Sequence, residues 1–307
     1  MIAHPSWFMF ALIGPILWAI VNYIDKYVVS KIGIEMGVKG IVTFSWLFSG
    51  VISIGILFFG FNILSIANFD KFLLILSGCF GSLAVFFYLK ALIETETSIV
   101  IPLMQLVPVF SCIAGYIFFK EVFSNQQIFA VILIIFGTII LSINTDEKGN
   151  WSFRTRVVFL MIISAILFTA QQSIFKFIAI NNDFWISNFW QFLGVFITGL
   201  TCLLIPSFRN SFKIIFRSNS KSLLVYNIII ECLTILGNIS TSYALMLAPI
   251  SLVMLVSSYQ PVFVLIFGII LTIFFPKIIQ ERISKVHIVQ KSLAIAFILV
   301  GSYFIYV

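Results

Sequence analysis

Charge is scarce in this chain. Asp, Glu, Lys and Arg make up 9% of its 307 residues, where soluble domains carry about a quarter. So little polar surface cannot cover a water-facing exterior. With 61% hydrophobic residues and a mean hydropathy of +1.16, an integral membrane protein is expected. No stretch has the Pro/Gly/Ser or charge bias of a disordered tail. The two histidines, His4 and His287, stand alone near connectors, which argues against a metal site. The four cysteines, Cys79, Cys112, Cys202 and Cys232, fall in apolar runs without metal or disulfide spacing and read as small core residues. There is no H-E-x-x-H, no G-x-S-x-G, no phosphate-binding Gly-rich loop and no paired Asp cluster. An enzyme, a cofactor and ATP-driven transport are therefore not expected. The opening "MIAHPSW" lacks the Lys or Arg of a secretory leader, so the first apolar run is expected to remain as a span.

What the chain has is long apolar runs. About 20 apolar residues cross a bilayer. Ten such runs lie near 7–25, 41–64, 72–92, 98–119, 125–143, 157–179, 185–205, 222–247, 250–275 and 288–307. The polar connector "NTDEKGNWSFRTR", residues 144–156, divides five from five, giving halves at 1–143 and 157–307. Basic residues produce a net charge of +7, but they are scattered through short connectors. That pattern suits lipid headgroups and topology setting, not nucleic acid.

The halves echo each other. "ILWAIVNYIDKY" (16–27) overlies "ILFTAQQSIFKF" (166–177) at an offset of 150 (166 − 16). "SIVIPLMQLVPVF" (98–110) overlies "SLVMLVSSYQPVF" (251–263) at 153 (251 − 98). Tyr88 before Ala91-Leu92 matches Tyr243 before Met246-Leu247 at 155 (243 − 88). Five spans per half is odd, so the second copy must enter from the opposite side. The expected fold is all-α, ten transmembrane helices in two inverted five-helix repeats. Pro108 and Pro261 register the fourth and ninth helices and kink them, freeing the carbonyls of Met104 and Ser257.

A first helix with Trp18 that ends in Lys, the Pro108 motif, and "FFKEVFSNQQIFAVILIIFGTIIL" with Glu121 and Gly137 resemble the drug/metabolite transporter superfamily, EamA type. Glu281 and Gly301 are looser counterparts in the second half, where "FFPKIIQERISK" (274–285) lengthens a connector. The resemblance implies a central cavity lined by spans one, three, four, six, eight and nine. It also implies cytoplasmic termini. The charges oppose that orientation: all Lys and Arg except Lys71, Lys120 and Lys176 lie in or beside the odd connectors, which places those in the cytoplasm and the termini outside. The charge count is preferred.

Polar residues inside spans are costly and point to function. In span eight, Glu231, Thr234, Asn238 and Ser242 share one helical face. Glu231 is either a substrate or proton site on a cavity wall, or a carboxylate in an interhelical hydrogen bond or nearer the interface. Spans one and six carry matching faces, Trp18, Asn22, Lys26 and Phe168, Gln172, Lys176. The lysines are rim charges for an anionic or zwitterionic solute, or snorkel to headgroups. Asn22, Gln171 and Gln172 need either a water-filled cavity or helix partners. Tyr88 and the unshared neighbours of the two prolines, Gln105, Ser258, Tyr259 and Gln260, complete the candidate cavity set. Glu94 and Glu96 read as helix-start carboxylates in a solvated turn. Ser77/Gly81, Gly78/Ser82 and Gly237/Thr241 read as close-packing pairs. The glycosylation patterns at 150–152 and 238–240 read as chance matches.

The expected function is secondary transport of a small polar or zwitterionic metabolite, such as an amino acid or nucleoside, with protons as a possible coupling ion. Lipids and the solute are the expected partners, and the protein is expected as a monomer or homodimer. Phe, Ile, Asn and Lys abundance fits an AT-rich bacterial genome and a cell inner membrane. The alternatives are a protein binding or modifying a lipid-linked sugar, and a non-transporting sensor.

Overall fold

The computed structural model describes residues 6–32, 34–95, 97–122, 124–145, 151–217, 221–274 and 285–306. Glu96, His4, Lys148, Lys277, Glu281 and Arg282 lie outside them, as does most of the 274–285 connector. The described residues form helices α1 (Trp7–Ile32), α2 (Ile34–Phe58), α3 (Asn68–Glu94), α4 (Thr97–Leu103), α5 (Leu106–Phe119) and α6 (Asn125–Ser142). The second half holds α7 (Thr155–Ala179), α8 (Phe184–Leu203), α9 (Pro206–Arg217), α10 (Lys221–Leu247), α11 (Ile250–Val256), α12 (Gln260–Phe274) and α13 (Lys285–Tyr306). Between the halves, strands β1 (Ile143–Thr145) and β2 (Trp151–Phe153) pair antiparallel, Ile143 opposite Phe153.

Among the described residues, eight segments are long and apolar enough to cross a membrane, so the chain is a multi-pass membrane protein. Two shorter apolar stretches, Ile128–Gly137 and Ser292–Gly301, lie in α6 and α13, where the fifth and tenth spans are expected. Outward-facing side chains are large and apolar, among them Val51, Ile54, Ile132, Phe159 and Ile270. With lipid as the solvent, such a surface costs nothing.

Packing between the halves is reciprocal. α1 lies on α10 and α3 on α7; α2 lies on α8 and α6 on α13; α5 lies on α7 and α12 on α1. Two apolar cores sit toward opposite ends. One gathers Tyr23, Val28, Val38, Trp46, Leu89, Leu92, Val157 and Leu160. The other gathers Trp7, Ala11, Leu74, Ala165, Phe175, Ala244, Leu245 and Ile250.

The proline segments break rather than bend. α4 stops at Leu103 and α5 restarts at Leu106, placing Pro108 in its first turn, where the missing N–H removes no helical bond. A 3-10 turn at Ser257–Tyr259 separates α11 from α12, with Pro261 again in a first turn. The freed carbonyls do not both stay open as expected. Met104 O accepts from Val107 N at 2.8 Å. Ser257 O accepts from Gln105 Nε2 at 3.3 Å, so each break touches the other.

Two features differ from the sequence expectation. α1 runs on to Ile32 instead of ending near residue 25, which keeps Asp25 inside the bundle. The basic connector after the seventh span contains α9, which starts on Pro206. α9 exposes Arg209 and Lys213 and turns Phe208 inward, 6.3 Å from the Trp46 ring and 5.8 Å from the Phe86 ring. Its basic face and apolar footing suit the membrane interface.

Candidate functional site

The site begins with the seam between α1 and α10. Ser240 Oγ donates to Phe10 O at 2.8 Å, Gly14 lies against Thr241, the Trp18 indole covers Gly237, and the Tyr27 and Tyr226 rings meet at 5.5 Å. Numbers rise on one helix as they fall on the other, so the helices are antiparallel. The same register sets Trp18 level with Asn238, Asn22 with Thr234, and Asp25 with Glu231. The two polar faces read from the sequence therefore lie level with each other, and Asp25, unforeseen, lies level with Glu231.

Asp25 and Glu231 are 5% and 4% exposed and lie within electrostatic reach of each other. Ser45 of α2 lies beside Glu231. Tyr88 of α3 donates to Asn22 Oδ1 at 2.8 Å and lies within electrostatic reach of Asp25. Asn22 is 4% exposed, and its Nδ2 has no hydrogen-bond partner among the described residues. Neither carboxylate has an ion-pair partner among the described residues. Two carboxylates so placed are costly in an apolar slab. They lie toward one end of the membrane, not at its middle. Glu231 is six residues into its span (231 − 225), roughly 9 Å of rise.

Ser242 does not join this group. It is buried on α10, 11 residues from Glu231 (242 − 231), roughly 16 Å along the helix. Phe168, Gln171 and Gln172 belong to the matching seam of α7 on α3. There Ser77 Oγ donates to Gln171 O at 2.9 Å, and Ser164 Oγ donates to Ala84 O at 2.9 Å. Gln171 Oε1 and Gln172 Oε1 have no partner among the described residues, nor has Gln105 Oε1 at the α4–α5 break. Gln260 is buried and Tyr259 half-buried at the other break; the side chain of Ser258 lies outside the described residues.

The two lysines reach the carbonyls at helix ends. Lys26 Nζ donates to Leu92 O at 2.5 Å and Thr95 O at 2.6 Å, at the C-terminus of α3. Lys176 Nζ, 150 residues on (176 − 26), donates to Ala248 O at 2.8 Å, just past the end of α10. Each ammonium satisfies the carbonyls and the negative dipole end of a helix.

Lys176 also meets Glu121 Oε1 at 3.9 Å. Glu121 follows Lys120, whose left-handed backbone (φ 54°) ends α5 and folds the chain back on Gly115. A Cβ at Gly115 would stand 2.5 Å from Glu121 Oε2, so any larger residue there must displace the Glu121 carboxylate. Glu121 accepts from Ile250 N at 3.1 Å and from Ser251 Oγ at 2.6 Å. The end of α5 is thereby tied to α7 and to the start of α11. At the other end of the bundle, Glu94 pairs with Arg156 at 3.0 Å.

Comparison with known proteins gives three findings. Residues 5–143 match the EamA-like transporter family, which bears out the resemblance read from the sequence. A solved structure described as "Crystal structure of protein" superposes with a TM-score of 0.68, covering 98% of this chain and 96% of that one at 14% identity. At that identity the likeness is one of fold. No curated protein matches the chain.

Proposed function

We propose that this multi-pass membrane protein, EamA-like over residues 5–143, is a secondary transporter that moves a small solute by alternating access between two inverted five-helix halves. The observation that carries this reading is the reciprocal packing, α1 on α10 against α3 on α7, with polar faces turned into both seams. Swapping equivalent elements between halves is what a two-fold relation produces. Two further observations support it: the lysine caps recur 150 residues apart, and the family match stops at residue 143, where the first repeat ends in the sequence.

In this mechanism the halves rock about the seams, and the lysine caps hold the ends of α3 and α10 as rigid units. Glu121 with Lys176 and Glu94 with Arg156 act as ties at opposite ends. Glu231 is the coupling group, binding a proton or the solute in turn. The test is uptake by proteoliposomes under an imposed proton gradient. Glu231→Gln should abolish gradient-driven uptake while leaving the protein folded. Normal gradient-driven uptake across the pH range in that variant would remove Glu231 from coupling.

A further inference from the structure

We propose that Asp25, Glu231 and Asn22 form a binding site for a protonated amine, so that the solute is an organic cation and not a zwitterion or an anion. This rests on the transport reading only in taking the site's occupant as the cargo.

Three independent observations converge. First, the paired carboxylates are nearly fully buried, share the seam of α1 on α10, and have no cationic partner among the described residues. An ammonium between them relieves their mutual repulsion and satisfies their lone pairs. Second, one turn away Asn22 Nδ2 is buried and unpartnered while Tyr88 fixes the other arm of the amide. It offers a donor to a hydroxyl or carbonyl carried by the same amine. Among the described residues the other unpartnered amide atoms are acceptors, Gln171 Oε1 and Gln172 Oε1 in the matching seam and Gln105 Oε1 at the α4–α5 break. A donor-rich cation suits them and a carboxylate does not.

Third, the pair is absent from the matching seam. In the sequence overlay Phe175 stands where Asp25 does (175 − 25 = 150), and Leu76 stands where Glu231 does (231 − 76 = 155). Phe175 is completely buried, so the architecture holds with an apolar residue at that place. Carboxylates kept on one side only are not needed to build the fold. A zwitterion, finally, would bring a carboxylate of its own into the seam. Lys26 and Lys176, the lysines closest to the two seams, are already engaged by helix-end carbonyls.

The experiment uses the full chain purified in a non-ionic detergent and follows its thermal unfolding. The amine probes are 2-phenylethylamine, ethanolamine and tyramine. The comparison probes are 2-phenylethanol, phenylalanine and phenylacetate, which keep the first skeleton and change its charge. At least one amine should raise the unfolding midpoint at millimolar concentration, and the three comparison probes should not. Asp25→Asn and Glu231→Gln should each weaken that amine roughly tenfold or more. The wild-type comparison stands even if a variant fails to fold. No stabilisation by any of the amines, equal stabilisation by phenylalanine or phenylacetate, or undiminished binding by both variants would overturn the proposal. Amine binding without solute exchange in proteoliposomes would instead overturn the transport reading and leave the site intact. Solute exchange without amine binding would do the reverse.

Discussion

The tie between Glu121 and Lys176 yields a prediction whose sign depends on the partner. Lys176 is 4% exposed, and its ammonium meets the carboxylate at 3.9 Å. A unit-charge pair near 4 Å is worth about 4 kcal/mol at an effective dielectric constant of 20, before desolvation is subtracted. Glu121→Gln keeps an oxygen for Ile250 N and turns the arm facing Ser251 Oγ into a donor, but leaves a buried ammonium held by one carbonyl, Ala248 O. The expected loss is about 2–4 kcal/mol. Lys176→Met removes the ammonium and leaves a carboxylate that still accepts two hydrogen bonds, for a loss of about 1–2 kcal/mol. In the double variant the buried charge is gone and the amide still accepts from Ile250 N. It should therefore be more stable than Glu121→Gln alone, with a coupling of about 2–3 kcal/mol, larger than the Lys176→Met loss. Thermal unfolding of the four proteins, purified side by side in one detergent, measures this. Strictly additive losses would show that the two side chains do not act on each other, and the tie between α5 and α7 would have to be abandoned.

Two more expectations concern packing and orientation. A Cβ at Gly78 of α3 would strike the Gln191 carbonyl and come within 2.8 Å of Val195 N on α8, whereas at Gly55 it would meet nothing within 4 Å. Gly78→Ala should cost about 1–3 kcal/mol and Gly55→Ala should be neutral or gain up to about 1 kcal/mol, by thermal unfolding; equal effects would refute the close approach of α3 to α8. The basic groups of α9, with Lys39, Lys90 and Arg156, crowd one end of the bundle, which should face the cytoplasm. An alkaline phosphatase fused after α13 should be active outside the cytoplasm, and a fluorescent protein there dark; the opposite pair of results would reverse the orientation.

Helical periodicity made the faces of Trp18–Asn22 and Glu231–Asn238 legible, because a 3.6-residue repeat needs only local sequence. Their common level is not legible, since register between α1 and α10 is set by contacts such as Phe10 with Ser240, 230 positions apart. Asp25 was missed for a local reason. An Asp-Lys pair at the edge of an apolar run reads as a helix end, and only the continuation of α1 to Ile32 buries it. In the sequence the lysines read as charges near rims, but their acceptors lie 66 and 72 residues away. Pro108 and Pro261 announce a defect; that the two breaks touch, Gln105 on Ser257, is a contact between residues 152 apart that local sequence does not carry. For α9 a signal was present. Pro206 opens a run with Phe208, Ser211 and Phe212 on one face and Arg209 and Lys213 on the other.

Exchange of solute by the protein alone is the measurement closest to the central claim. Purified chain reconstituted into liposomes preloaded with each member of a metabolite panel, amines included, is diluted into trace amounts of the labelled compound. The account predicts transient, saturable accumulation of label for at least one solute, without ATP, and loss of proton-gradient-driven uptake of that solute in Glu231→Gln. No exchange of any panel member by folded protein, or gradient-driven uptake unchanged in that variant, would contradict it.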